Sequence, residues 1–172
     1  QYHGISYFLS TDINSFFPSI SHSLLADKLT PIIDDTLLGI LRKLISAPLI
    51  KTGSELIYPT RGIILGSPLS PTLSNLFLQE TDLALEAEYP MFVRYSDDLL
   101  LGSTTPFTAF DLEKIKTCFA GLELEMNEEK THFYSLKDSF IFLGFEFNFT
   151  NLQKTCVKDE CCKDGGMTET EQ

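Results

Sequence analysis

The chain has 172 residues, 43% of them hydrophobic, which suits one domain of ordinary size with a real core. No apolar run reaches the roughly eighteen residues of a membrane-spanning helix, and Gln1-Tyr2-His3-Gly4 is neither basic nor followed by the apolar run of a signal peptide. With 24 acidic against 13 basic residues the formal charge is −11, which argues against a free-standing nucleic-acid binder unless the bases lie on other segments.

Tyr7-Phe8-Leu9-Ser10-Thr11 is rich in strand formers and runs into Asp12. A short helix is expected from Ser21 to Leu29. Thr30-Pro31 then reads as cap and first-turn proline of a second helix, with Ile33, Leu37, Ile40, Leu41, Leu44 and Ile45 on one face and Pro48 as its stop. A small hairpin is expected around Thr52-Gly53-Ser54. Arg61 to Pro71 is a loop marked by Gly62, Gly66 and Pro68. Ser70-Pro71 should cap a long helix carrying Leu73, Leu76, Phe77, Leu83 and Leu85 and ending near Pro90.

Met91 to Tyr95 and Leu99 to Leu101 read as two strands joined through Ser96-Asp97-Asp98, with a helix from Phe107 to Phe119 after them. Leu122 to Leu124, Thr131 to Tyr134 and Phe140 to Leu143 read as extended. This order predicts an α+β fold: a split β-α-β (ferredoxin-like) antiparallel sheet with helices on one face. Residues 1–150 form the expected domain, and 151–172 a polar, disordered tail. Cys118 reads as a small core residue of its helix. Cys156, Cys161 and Cys162 have no His among them and fit no zinc spacing, so a reduced tail and a cytoplasmic protein are expected. The first residue is not Met and an apolar strand begins almost at once, which reads as a piece cut from a longer chain.

Asp97-Asp98 lies between two apolar runs. Placing two adjacent carboxylates at a sheet rim without a counter-ion costs several kcal/mol, and a divalent cation removes that cost. Asp12 ends the other strand expected beside this hairpin, so it can share the ions. Ligation by oxygen alone favours Mg²⁺, with Mn²⁺ as substitute, over zinc. Asp34-Asp35 is an internal control. It falls in the early turns of a predicted helix, where the helix dipole accounts for it without a metal.

Five segments, in order, resemble reverse transcriptases. Asp12-Ile13-Asn14-Ser15-Phe16-Phe17 resembles their first catalytic motif, and Tyr95-Ser96-Asp97-Asp98 their Tyr-x-Asp-Asp motif. Gly66-Ser67-Pro68-Leu69-Ser70-Pro71-Thr72-Leu73-Ser74-Asn75 resembles the motif between them in the bacterial group, which includes group II intron, retron and CRISPR-associated enzymes. Asn127-Glu128-Glu129-Lys130-Thr131 and Phe142-Leu143-Gly144-Phe145 resemble a further motif and the primer-gripping hairpin. Together they span Tyr7 to Phe147.

The resemblance implies a polymerase palm that joins deoxynucleoside triphosphates to a DNA or RNA primer on an RNA template, with fingers and thumb supplied by other segments or subunits. It implies that Asp12 and Asp97 bind two Mg²⁺ ions, that Asp98 assists, and that Ile13 offers its carbonyl. Phe17 would exclude a nucleotide 2′-hydroxyl while Phe16 packs in the core. Gly66, Ser67 and Pro68 would lie against the template base pair, Tyr95 would pack against the primer, and Arg94 would pair with the carboxylates or touch nucleic acid. Lys130 would protonate pyrophosphate or hold a phosphate, and Leu143, Gly144 and Phe145 would press on the primer backbone. Leu65 departs from the Gln many relatives carry before the glycine, which removes a polar contact with the nucleotide and leans toward the CRISPR-associated branch.

Rival readings are an RNA-dependent RNA polymerase, a nucleotide cyclase and an inert palm serving as a scaffold. Phe17 and the Gly66-Ser67-Pro68 loop oppose the first. The second needs a glycine-rich loop that Arg94-Tyr95-Ser96 does not supply, and Mg²⁺-independence would mark the third.

Overall fold

The computed structural model describes residues 4–51, 55–148 and 153–156, which belong to two compact units, Gln1–Phe133 and Tyr134–Gln172. The first unit opens with β1 (Tyr7–Asp12), a helical turn α1 (Phe16–Ser19), and helices α2 (His22–Leu29) and α3 (Asp35–Ile45). The hairpin β2 (Leu49–Lys51) and β3 (Glu55–Ile57) follows, then α4 (Ser70–Glu88). A second hairpin, β4 (Met91–Tyr95) and β5 (Asp98–Ser103), leads to α5 (Ala109–Ala120), a 3-10 turn (Glu128–Lys130) and β6 (His132–Ser135), whose first two residues end this unit.

Four strands form one sheet in the order β4-β5-β1-β6, the spatial order of a split β-α-β unit, and β5 is antiparallel to both its neighbours. The α+β palm-like architecture expected from the element order is the one observed. A single apolar cluster joins Leu9 of β1, Leu99 and Leu101 of β5, Phe77 and Leu78 of α4, Ile115 and Phe119 of α5, and Leu25 of α2. Leu100 is buried too, so β5 is covered on both faces, which is why its sequence is a continuous apolar run.

Some elements differ from expectation. The third helix begins at Asp35, not at Thr30-Pro31. Asp34 is its N-cap and accepts a hydrogen bond from Leu37 N, while Thr30 closes α2. A carboxylate that satisfies an orphan N–H outcompetes the proline signal. Its buried residues are Leu38 and Ile45, seven apart, whereas Leu37, Ile40 and Leu44 are exposed. Leu69 caps α4, with Ser70 inside its first turn, and Leu83 is exposed while Leu78 and Thr81 are buried. Leu122 and Glu123 lie in a turn, with Glu123 at φ 58°, instead of an extended segment. α5 starts two residues later than expected, behind a reciprocal Thr108–Asp111 capping box.

Tyr89 closes α4, its ring 5.7 Å from that of Phe107 and its hydroxyl buried. Burial, aided by the charges of Asp111 and Glu88, pushes its pKa from 10.0 up to about 12. The folded value lies above the unfolded one. The associated stability is therefore complete below pH 10 and is lost as pH rises toward about 12. In an alkaline absorbance titration one tyrosine should ionise near pH 12, with the thermal midpoint falling over the same interval. Tyr89→Phe should abolish that late step, and its persistence in the variant would refute the assignment.

The second unit contains an antiparallel meander of β7 (Ser139–Phe142), β8 (Phe145–Asn148) and β9 (Gln153–Cys156). Leu143 and Gly144 have φ of 53° and 79°, a two-residue primed turn of the kind that matches strand twist. The Phe140 ring stacks on Tyr134 and Phe147 at 5.1 and 5.4 Å. β9 is regular structure beyond Thr150, where the sequence showed no pattern. The remainder of the expected tail, with Cys161 and Cys162, lies outside the described residues, as does the Thr52-Gly53-Ser54 turn.

Candidate active site

β1 and β5 pair in a register that sets Asp12 directly opposite Asp98 at the strand ends. Residues directly opposite on paired strands share a sheet face. Asp97 lies in the turn before β5, and its carbonyl accepts from Ile13 N at 3.1 Å, tying the two acidic segments together. Ser96 has φ 59°, which lets the chain reverse in two residues. Asp12 is buried at 6% exposure, Asp97 is half-buried and Asp98 is exposed. Leu99 and Leu100 below them are buried, while Val93 is exposed.

The segment after α5 packs on the other side of β1's end. Asn127 N donates to the Asp12 carbonyl at 2.9 Å, Asn14 N to the Glu125 carbonyl at 2.8 Å, and Ile13 bridges Met126. Thr131 Oγ1 donates to the Asn127 carbonyl at 2.8 Å, so the 2.8 Å contact between Thr11 and Thr131 hydroxyls has Thr11 as donor. This framework holds the 3-10 turn and brings the Lys130 ammonium onto Asp12 Oδ2. The hydrogen bond to Asp12, then the charges of Asp12, Asp97 and Asp98, raise the Lys130 pKa above its ordinary value.

Among the described residues no three His, Cys, Asp or Glu side chains draw together closely enough to cage a metal ion. The donor chemistry still suits a hard divalent cation. The three candidate ligands offer oxygen only, and Asp12 Oδ1 is buried without any hydrogen-bond partner. A buried carboxylate oxygen with nothing to accept from is suited to bind a cation.

Ile13 has its side chain in the core, at 1% exposure. Phe16 is buried and Phe17 half-buried, their ring centroids 5.3 Å apart. They lie on a helical turn after Ser15, which takes φ 46°. Gly66, Ser67 and Pro68 lie on the open surface before α4. Gly66 is required by its φ of +82°, since a Cβ there would meet nothing within 4 Å. Tyr95 is 66% exposed. Leu143 and Phe145 are exposed on the hairpin of the second unit, described within that unit alone.

Arg94 is engaged with α4 and with the backbone of the acidic turn. Its guanidinium grips both oxygens of Asp82 at 2.8 and 2.6 Å, reaches Asn75 Oδ1 at 3.1 Å, and donates to the Ser96 carbonyl at 2.9 Å. It therefore braces the acidic turn against α4. The signal was present in sequence as Asn75 and Asp82, seven apart and so on one helix face. A cavity of about 520 Å³ beside His22, Asp27, Arg42 and Thr60 contains none of the three carboxylates.

Known proteins share this fold. The putative COX1/OXI3 intron 2 protein of Saccharomyces cerevisiae is 33% identical over 85 residues, 49% of this chain and 10% of that protein. Telomerase from Candida albicans in complex with a telomeric RNA fragment superposes with TM-score 0.70 at 16% identity, over 88% of this chain and 30% of that one. The RNA-dependent RNA polymerase of a human picobirnavirus superposes with TM-score 0.57 at 17% identity, over 84% of this chain and 29% of that one. The chain thus spans about a tenth of the curated relative and under a third of these solved chains. A family model described as reverse transcriptase (RNA-dependent DNA polymerase) matches residues 1–147, and the chain belongs to that family.

Proposed function

We propose that this chain is the palm of an RNA-templated DNA polymerase that transfers nucleotides from deoxynucleoside triphosphates to a primer 3′-hydroxyl with two Mg²⁺ ions, or Mn²⁺ in their place. The single observation that carries the reading is the pairing of Asp12 with Asp98 while Ile13 N holds the Asp97 carbonyl. It brings residues from distant parts of the chain to one sheet edge.

In this reading Asp12 and Asp97 hold both ions, Asp98 assists, and the Ile13 carbonyl completes the set. When bound, the ions acidify the primer hydroxyl and neutralise charge on the triphosphate. The primer oxygen bonds to the α-phosphorus as the bond to the bridging oxygen breaks and pyrophosphate leaves. Lys130 supplies pyrophosphate with a proton, and the primer proton passes to solvent. The protein contributes alignment and fixed charge, because phosphoryl transfer needs little covalent chemistry from side chains.

Phe17 excludes the 2′-hydroxyl, Gly66, Ser67 and Pro68 support the template base pair, and Tyr95 packs on the primer. Leu143, Gly144 and Phe145 grip the primer backbone. Arg94 acts through the turn that carries Asp97. The motif from Gly66 to Asn75 supports the bacterial type with intron, retron and CRISPR-associated members. Other segments or subunits supply fingers and thumb, so the 172-residue chain alone is expected to be weak.

The test is incorporation on a primed RNA template with Mg²⁺, with those further domains present, comparing deoxynucleotides with ribonucleotides and the native chain with Asp97→Ala. Deoxynucleotide incorporation that vanishes in the variant is expected. Preference for ribonucleotides would favour an RNA polymerase, and turnover indifferent to Asp97 would refute the site.

A further inference from the structure

Lys130 is delivered to Asp12 by fixed backbone while its own stem stays loose. Its 3-10 turn is held by Asn127 N to the Asp12 carbonyl at 2.9 Å, by Lys130 N to the Asn127 carbonyl at 3.2 Å, and by the Thr11–Thr131 hydroxyl pair at 2.8 Å. The lysine side chain is 67% exposed and Asp12's only 9%, so the ammonium approaches a buried carboxylate from solvent. It meets Asp12 Oδ2 and leaves Oδ1 without a hydrogen-bond partner.

A buried carboxylate needs a positive neighbour. An ammonium supplies one unit of charge on a long, solvated stem, whereas a divalent cation supplies two and binds oxygens directly. Both cannot hold Oδ2 at once. We propose that Lys130 is the resident counter-ion of the metal-free site, and that a divalent cation bound through Asp12 displaces its ammonium, so that lysine and metal compete for one carboxylate. This rests on the two-metal reading of Asp12, Asp97 and Asp98. It adds that metal loading releases the lysine, which is then free for an anion that arrives with the metal. The swing requires no backbone change, because only the exposed stem moves.

The experiment is Mn²⁺ binding to the 172-residue chain, followed by the electron paramagnetic resonance of free Mn²⁺, with no nucleotide present. Lys130→Met should bind Mn²⁺ roughly three- to tenfold more tightly than the native chain, the range set by charge-assisted and partly exposed pairs. Lys130→Arg, which keeps a cation of similar reach, should restore native affinity. Lys116→Met removes the same unit of charge but pairs with Glu113 and Glu128 instead of Asp12, and should stay within about twofold of native. Asp97→Ala should lose most binding.

Unchanged or weaker binding in Lys130→Met overturns the competition, as does equal tightening in Lys116→Met, which would mark a general charge effect. Native binding that depends on Asp97 but ignores Lys130 sinks this inference and spares the two-metal reading. Absence of binding in every chain removes both.

Discussion

Asp12→Asn should reduce deoxynucleotide incorporation by about three orders of magnitude while leaving the chain folded. Charge stabilisation by a bound metal is worth several kcal/mol, and about 4 kcal/mol corresponds to three orders in rate. The amide has the carboxylate's shape, so the close packing around a 6%-exposed side chain is kept. The amide carries no charge, so Asp12 Oδ1, the buried oxygen without a partner, loses its attraction for a cation. Stability changes little. The variant loses the pair with Lys130, but that lysine is mostly solvated and its release is worth at most about 1 kcal/mol. It also loses the burial of a charge, which acts in the opposite sense. Incorporation should be measured beside the thermal midpoint. Activity within tenfold of native in a folded protein would remove Asp12 from the chemistry.

The legible parts of this fold are those encoded by local pattern. Met91 to Tyr95 and Leu99 to Leu101 declared a hairpin through two apolar runs around a polar turn, and the structure pairs Tyr95 with Asp98 accordingly. Asp34-Asp35 reads as a structural pair in the early turns of a helix, and Asp34 proves to be the helix's cap. Local signals failed where two competed. Pro31 is suited to a first turn, but Asp34 supplies the hydrogen bond that a helix start needs, and the bond decides the boundary. The stretch Leu122 to Leu124 alternates like a strand, yet Glu123 takes a left-handed φ and folds it into the turn that returns the chain to β1. Contacts between distant residues left no local trace. Lys130 and Asp12 are 118 positions apart, and nothing periodic in either segment announces their pairing. Only family resemblance brought those two motifs into one site before the structure did.

Arg94 is where the sequence suggested contact with nucleic acid or with the acidic pair and the geometry assigns a brace. Arg94→Met should lower unfolding stability by about 2–4 kcal/mol. That is below the full figure for a broken buried pair because Asp82 remains partly open. The side chains are 8% and 22% exposed, so deleting the guanidinium leaves the Asp82 carboxylate largely desolvated and without its two charged hydrogen bonds. Arg94→Lys should recover only part of the loss, since a point charge on a flexible stem cannot hold both Asp82 oxygens, Asn75 and the Ser96 carbonyl together. Arg94→Met combined with Asp82→Leu should regain most of the stability, because the uncompensated charge is gone. Activity separates the two roles of the arginine. Neither methionine variant restores the 2.9 Å bond to the Ser96 carbonyl, so the turn carrying Asp97 stays unbraced and incorporation remains low even where stability returns. Chemical denaturation of the four chains, read beside primer extension, decides it. A fully active, fully stable Arg94→Met would leave the brace without consequence, whereas stability recovered without activity means that α4, through one guanidinium, sets where the Asp97 turn lies.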